Sequence, residues 1–317
     1  MTKARELSDY TGLQADITAG DTAARAGRKN ILINGSFRVS QRGDYTSATS
    51  ATHNIYMLDR WQTAISPAST IQDLGGYAEL KATAAATGSV RLYQTIEDLY
   101  LLEGQTVTVS CEMKSNTANG RLQMHNGSWV ADNASHTGGG AWETLSFTVS
   151  MPSSLSVTSI QVGIDGVSSA NVPIAVGDYC QIKNVQLELG SVATDFEHRS
   201  YGEELALCQR YYFDYGYAAG ADTVRFNPAA ATAASAKFQM NLQFPVGMRA
   251  APTVTVSSNG NADGLLTTLN SNGNGRLGSS LAGAADTTAN YCTIFCVDDD
   301  DTVKTGFRGY FKADAEL

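Results

Sequence analysis

The chain is poor in proline, in charge and in long apolar runs. Of its 317 residues only 6 are proline and 17% are charged, while 43% are hydrophobic. That balance excludes the charge-rich, apolar-poor composition of a disordered chain. No window of about 18 apolar residues occurs, and the first sixteen residues hold no apolar core of the kind an export signal needs. The expectation is a chain made in a cytoplasm, with no membrane insertion. The five cysteines, Cys111, Cys180, Cys208, Cys292 and Cys296, are odd in number and scattered. They fit buried, reduced thiols better than a disulfide framework. Cationic clusters are missing too, and the net charge is −9, so nucleic acid is not an expected partner. Only four histidines occur, His53, His125, His136 and His198, and their spacing supports no Ser-His-Asp arrangement.

What is present is glycine (30 residues) with abundant Ser, Thr, Ala and Asn, the composition of strands with one wet face joined by turns. From residue 30 apolar and polar residues alternate over 31–39, 91–96, 105–113, 120–124, 143–150 and 159–165. Gly-Asp, Asn-Gly, Gly-Gly and Pro-Ser signals separate them. Residues 178–189 alternate cleanly except for one offset between Ile182 and Val185, which predicts a β-bulge. A short helical connector is predicted over 200–210, with Glu203 and Glu204 in its positive first turn. Beyond it 209–217, 236–244, 253–257, 265–269, 291–297 and 306–313 read as six further strands. The fold class expected is therefore all-β: an N-terminal arm (1–29), an antiparallel jelly-roll β-sandwich (30–200) and a second, smaller β-sandwich (201–317).

Catalysis finds little support. Glu79, Glu97, Glu103, Glu143 and Glu188 stand singly, with no carboxylate pair of the glycosidase kind, so no catalytic residue is assigned and the chain is read as a non-enzyme. Binding is better served. An exposed aromatic ring can stack on the apolar C–H face of a sugar while nearby amides and carboxylates meet its hydroxyls. Trp129, with Asn126 and Asp132 around it, and Trp142, after three glycines, are the candidates; the alternative is that both rings pack against neighbouring strands. Trp61 is expected in the core. Tyr211, Phe213, Tyr215 and Tyr217 share one side of a predicted strand, as a core or a subunit interface would require. The run Asp298 to Asp301 reads as a solvated hairpin turn, without the spacing of a loop that wraps a cation.

Three groups of residues carry a resemblance. Asn34-Gly35-Ser36-Phe37-Arg38-Val39-Ser40-Gln41-Arg42-Gly43 with Asp59-Arg60-Trp61 resembles the opening of carbohydrate-binding-module-like jelly rolls in phage tail-fibre and other virion proteins. Val185-Gln186-Leu187-Glu188-Leu189-Gly190-Ser191, Thr194-Asp195-Phe196-Glu197 and Tyr201-Gly202-Glu203-Glu204-Leu205 resemble the closing strand and exit of that module. Cys208-Gln209-Arg210-Tyr211-Tyr212 resembles the opening of its C-terminal unit. The resemblance implies a virion protein, fibre or receptor-binding, usually a homotrimer. In it residues 1–29 would dock onto other virion proteins and the rest would contact host-surface glycans or neighbouring subunits; relatives also serve as structural adaptors. No cofactor is required. The resemblance does imply a calcium position where the first and last strands meet, with Asn34 and Glu188 as ligands by place, although Arg38 stands where an acidic residue is common.

Overall fold

The computed structural model describes residues 29–125, 130–156, 158–166, 170–215, 224–226, 237–257, 267–270, 275–276, 282–285, 287–297 and 304–316. The proposed arm apart from Lys29, and the candidates Asn126, Trp129, Tyr217 and Asp298 to Asp301, lie outside them. The chain divides into two compact units, Met1–Tyr201 and Gly202–Leu317.

The first unit is a β-sandwich of two antiparallel sheets. One sheet, here sheet A, runs β1 (Thr49–Ser50), β4 (Ser69–Asp73), β5 (Ala78–Ala82), β13 (Tyr179–Leu189), β7 (Thr106–Ser115), β10 (Trp142–Ser150). The other, sheet B, runs β2 (Tyr56–Leu58), β3 (Trp61–Ser66), β6 (Ala86–Thr95), β11 (Ser159–Ile164), β8 (Gly120–His125), β9 (Val130–Ser135), with β12 (Val172–Ile174) also paired to β6. Strand neighbours in the sheets are far apart in sequence, as a jelly roll requires. Alternation places Ile71, Leu80, Val107, Val109, Leu145 and Ile182 of sheet A against Ile65, Val90, Leu92, Leu122, Ile160 and Val162 of sheet B in one buried cluster. The polar partners in each alternation face outward.

The expected bulge in β13 lies between Lys183 and Gln186, where Asn184 adopts φ 54°. The slip lets Val185 and Leu187 return to the core side after Ile182. The opening segment 31–39 differs from its predicted strand. Asn34 and Phe37 both have φ 56°, which breaks an extended run. The segment instead makes a turn, Phe37 N–H donating to the Asn34 carbonyl at 3.0 Å, and touches β13 through Ile31 N–H to Leu187 O (2.9 Å) and Val185 N–H to Gly35 O (2.9 Å).

That turn is a plug. Trp61, fully buried, donates from Nε1 to the Asn34 carbonyl at 3.0 Å and packs on Phe37 with ring centroids 5.1 Å apart. The Asn34 amide donates to the Val39 and Asp59 carbonyls at 2.8 and 3.0 Å, and Gln41 Nε2 donates to Asp59 Oδ1 at 2.9 Å. A Cβ on Gly35 would lie 2.1 Å from the Val185 carbonyl oxygen, so only glycine lets the turn press against β13. The opening residues 34–41, with Asp59 and Trp61, therefore close the sandwich.

In the second unit a helix, α1 (Tyr201–Gln209), carries Glu203 and Glu204 in its first turn. One sheet forms around the long strand β22 (Lys304–Asp314), with β14 (Tyr212–Tyr215), β15 (Val224–Phe226), β17 (Thr253–Ser257) and β18 (Thr267–Asn270) paired to it and β19 (Gly275–Arg276) on β18. A second sheet runs β16 (Lys237–Gln243), β21 (Tyr291–Val297), β20 (Ala282–Ala285). Phe213, Leu242, Phe244, Val256, Ile294 and Phe311 belong to its buried cluster.

Candidate functional site

The outer face of sheet B is polar and half-buried, with Gln123 and Gln161 buried at its centre. Because Val90 and Leu92, Leu122 and Met124, and Ile160 and Val162 point into the core, the residues between them line the opposite face. Strand register then forms two rows. Gln62, Tyr93, Gln161, Gln123 and Asn133 lie side by side, and so do Ala64, Arg91, Gly163, Arg121 and Ser135. Gly163 separates the two arginines at φ 149°; a Cβ there would meet the Val90 carbonyl oxygen at 2.4 Å and Arg91 Cα at 2.6 Å.

Asp165, one residue past β11 and 1% exposed, organises this face. Its Oδ2 pairs with Arg91 Nη1 and accepts from Gln123 Nε2 at 3.0 Å. Its Oδ1 accepts the Gly166 N–H at 2.9 Å, and its backbone carbonyl accepts from Arg121 Nε at 2.9 Å. Arg121 also reaches Asn133 Oδ1 at 3.3 Å and the Ser135 hydroxyl. Burial pushes the Asp165 carboxyl above the usual carboxylate range, against the opposing pull of Arg91 and these hydrogen bonds. At His125, burial foremost and Arg91 next hold the imidazole below its ordinary value.

Among the described residues, two atoms in this network lack partners. Gln123 is 1% exposed, and its Oε1, like Arg91 Nε, is buried without a hydrogen-bond partner among those residues. One is an acceptor, the other a donor, and both side chains converge on the same carboxylate oxygen. A buried polar group left unmet costs about 1–3 kcal/mol, so each of the two atoms calls for a partner such as an ordered water or a ligand group. A hydroxyl donates and accepts at once, and is the smallest group that does so.

Sequence reasoning did not single out these residues. Arg91, Gln123 and Asp165 carry no motif and lie more than thirty positions apart; a weak signal was the polar phase of strands whose other phase is apolar.

The residues that were singled out fall elsewhere. Trp142 opens β10 on the outer face of sheet A, 38% exposed. Asp132 lies in β9, its backbone opposite Met124. Tyr211 and Phe213 correct the interface reading: they are 2% and 8% exposed, and Phe213 packs among Phe244 and Phe311 at 6.3 and 6.1 Å. Phe213 belongs to the unit's own core cluster, and Tyr211 is buried just ahead of β14. Tyr215, 42% exposed, stacks on Phe311 at 5.3 Å.

At the implied calcium position, Asn34 and Glu188 both hold hydrogen bonds within the protein. Asn34 Oδ1 accepts the Val39 N–H at 3.0 Å, and Glu188 accepts from Gln186 Nε2 (3.0 Å), Thr194 N–H (2.9 Å) and Thr194 Oγ1 (2.6 Å). These oxygens hold the opening turn and the exit segment in place. Among the described residues no group of three or more His, Cys, Asp or Glu could hold a metal ion. The single carboxylates are partnered too: Glu79 by Gln181 (2.7 Å), Glu103 by the Leu155 N–H (3.0 Å) and Glu143 by the Thr137 N–H (3.0 Å).

No protein-family model matches the chain, and no curated protein matches it in sequence. Solved structures that resemble it include a family 4 carbohydrate-binding module (TM-score 0.32, 17% identity, 50% of this chain and 98% of that one). Another is the enzymatically active domain of tailspike protein 4 from bacteriophage CBA120 (0.31, 17%, 51% and 21%). A third is the tripod from the baseplate of bacteriophage Tuc2009 (0.31, 18%, 55% and 59%).

Proposed function

We propose that this protein is a non-catalytic, glycan-binding component of a phage virion, a fibre or receptor-binding protein whose first unit holds host-surface sugar on the outer face of sheet B. The unmet Gln123 carbonyl beside Arg91 carries this reading, because a sugar hydroxyl supplies the donor and the acceptor that the pair lacks. Gln, Asn, Arg and Asp side chains on a rigid sheet offer the planar, fixed hydrogen-bonding groups that hydroxyl recognition uses. The virion setting rests on the opening, closing and Cys208-Gln209-Arg210-Tyr211-Tyr212 residues shared with tail-fibre jelly rolls. In this role residues 1–29 attach to the particle, the second unit contacts host or neighbouring subunits, and trimerisation multiplies weak single-site affinity into avidity.

The test is saturable binding of fluorescently labelled protein to intact candidate host cells, and to a panel of their surface oligosaccharides, with Gln123→Leu alongside. Saturable adhesion that is lost in the variant supports the reading. Adhesion by neither protein across the hosts of the phage refutes it and leaves a structural adaptor.

A further inference from the structure

The long edge of sheet A takes no part in the network on sheet B. We infer that β10 is a docking edge for a second copy of this chain, the two β10 strands pairing antiparallel about a twofold axis at Ser146. This goes beyond the proposed function and does not depend on it.

β10 ends sheet A and pairs with β7 alone. Bonds at its two ends set which way its backbone points. Gly140 N–H donates to Ser115 O at 2.9 Å and Met151 N–H to Gln105 O at 2.8 Å, so the odd-numbered residues of β7 turn their backbone groups toward β10. Gly190 N–H donates to Thr106 O at 2.8 Å from the other side, so the even-numbered ones turn away. Register sets Glu143, Leu145, Phe147 and Val149 opposite Met113, Cys111, Val109 and Val107. These four residues of β10 therefore bond to β7. Backbone groups alternate sides along an antiparallel strand, so Thr144, Ser146 and Thr148 turn theirs off the sheet. Among the described residues no backbone group meets them, and all three residues are exposed.

An open row of this kind is a template for another strand, and proteins blunt it with short strands, proline, bulges or charge. The other edges of the sandwich are blunted in these ways. β1 has two residues, and β2 has three and slips in register. β9 pairs across a slip and carries Asp132, and β12 is three residues long with Pro173 among them. β10 runs nine residues in unbroken register, without proline or glycine, and Glu143 near its start is its one charge.

Symmetry selects the occupant. A strand can pair antiparallel with its own copy about a twofold axis, each residue meeting its mirror position. Outward backbone groups meet outward groups only when the axis passes through an even-numbered residue. Ser146, the middle of the nine, is the one that engages the whole strand. Thr144 then stands opposite Thr148 of the second copy, a favourable cross-strand pair, and Glu143 stands opposite Val149, so no like charges meet. The three central pairs exchange about six backbone bonds. On the core side Leu145 and Phe147, 5% and 9% exposed, meet across the junction and cover the apolar rim of both sandwiches. A twofold contact cannot close a threefold ring, so it joins two of the trimers proposed above.

The test is the solution mass of the full chain over a concentration series, beside Ser146→Lys and Ser146→Glu. Like charges meet on the axis in either variant alone, and opposite charges meet when the two are mixed. The expected result is a parent mass twice that of each variant, with the doubled mass regained in the equimolar mixture. Equal masses for parent and variants overturn the proposal, and so does a mixture that stays at the lower mass. Amide hydrogen exchange of the parent alone tests the register, whether or not the variants fold. The Thr144, Ser146 and Thr148 N–H groups should exchange more slowly as concentration rises. Fast exchange at every concentration overturns the proposal. Protection that does not change with concentration overturns it too, because the chain then covers its own edge.

Discussion

Gln123→Leu separates stability from function. The substitution removes a hydrogen bond to an ionised carboxylate, Nε2 to Asp165 Oδ2 at 3.0 Å, worth about 1.5–3 kcal/mol. It also removes a buried carbonyl that has no donor, relieving about 1–3 kcal/mol. Leucine keeps nearly the same volume at a position 1% exposed, and Asp165 retains Arg91 and the Gly166 N–H. The opposing terms nearly cancel, so the expected change in stability lies between a gain of about 1.5 and a loss of about 2 kcal/mol. For a unit of this size that is a shift of at most about 4–8 °C in Tm. All three tryptophans, at 61, 129 and 142, lie in the first unit, so thermal unfolding followed by tryptophan fluorescence reports that unit. Sugar binding should nevertheless be abolished. A stability loss above about 3 kcal/mol would mean that Gln123 is a satisfied structural amide, and unchanged binding would mean that its carbonyl meets no ligand; either result refutes the reasoning.

Other outcomes follow from the same geometry. Gly35→Ala drives a methyl into the Val185 carbonyl oxygen and should cost about 3 kcal/mol, whereas Gly75→Ala, at φ 75° with nothing within 4 Å of its Cβ, should cost only about 1 kcal/mol from backbone strain; chemical denaturation of both compares them. Cys111, Cys180 and Cys292 are buried free thiols. Burial raises all three, Cys292 to about 11, so they should resist a thiol reagent in the native protein and react only on unfolding. His125 sits below its ordinary value, so the unfolded chain binds its proton more readily than the native one. Its contribution to stability is thus complete above about pH 6.5 and is lost as pH falls below that. In urea melts, His125→Gln should show a shallower loss of stability between about pH 6.5 and 5 than the parent; parallel curves would count against it.

Local periodicity determined a good part of this protein. Alternation marked β7, β8, β10, β11 and β13 to within a residue or two, an offset in that alternation marked the β13 bulge, and acidic residues at 203 and 204 marked the start of α1. These are short-range properties, legible because a strand's two faces meet different solvents. The short strands β1 to β5 were not legible: they run only two to six residues, too short for a period of two to stand out. Nor was the turn at 34–37, whose positive φ angles are imposed by Trp61 and β13 from afar. Composition limited the aromatic candidates to a few, but only packing decided that Phe213 is core and Trp142 open. The polar network was invisible for the same reason. Arg91, Gln123 and Asp165 become neighbours because β6, β11 and β8 lie side by side in sheet B, and the order of strands in a sheet is settled by which apolar faces pack, a property of the whole unit and not of any stretch of sequence.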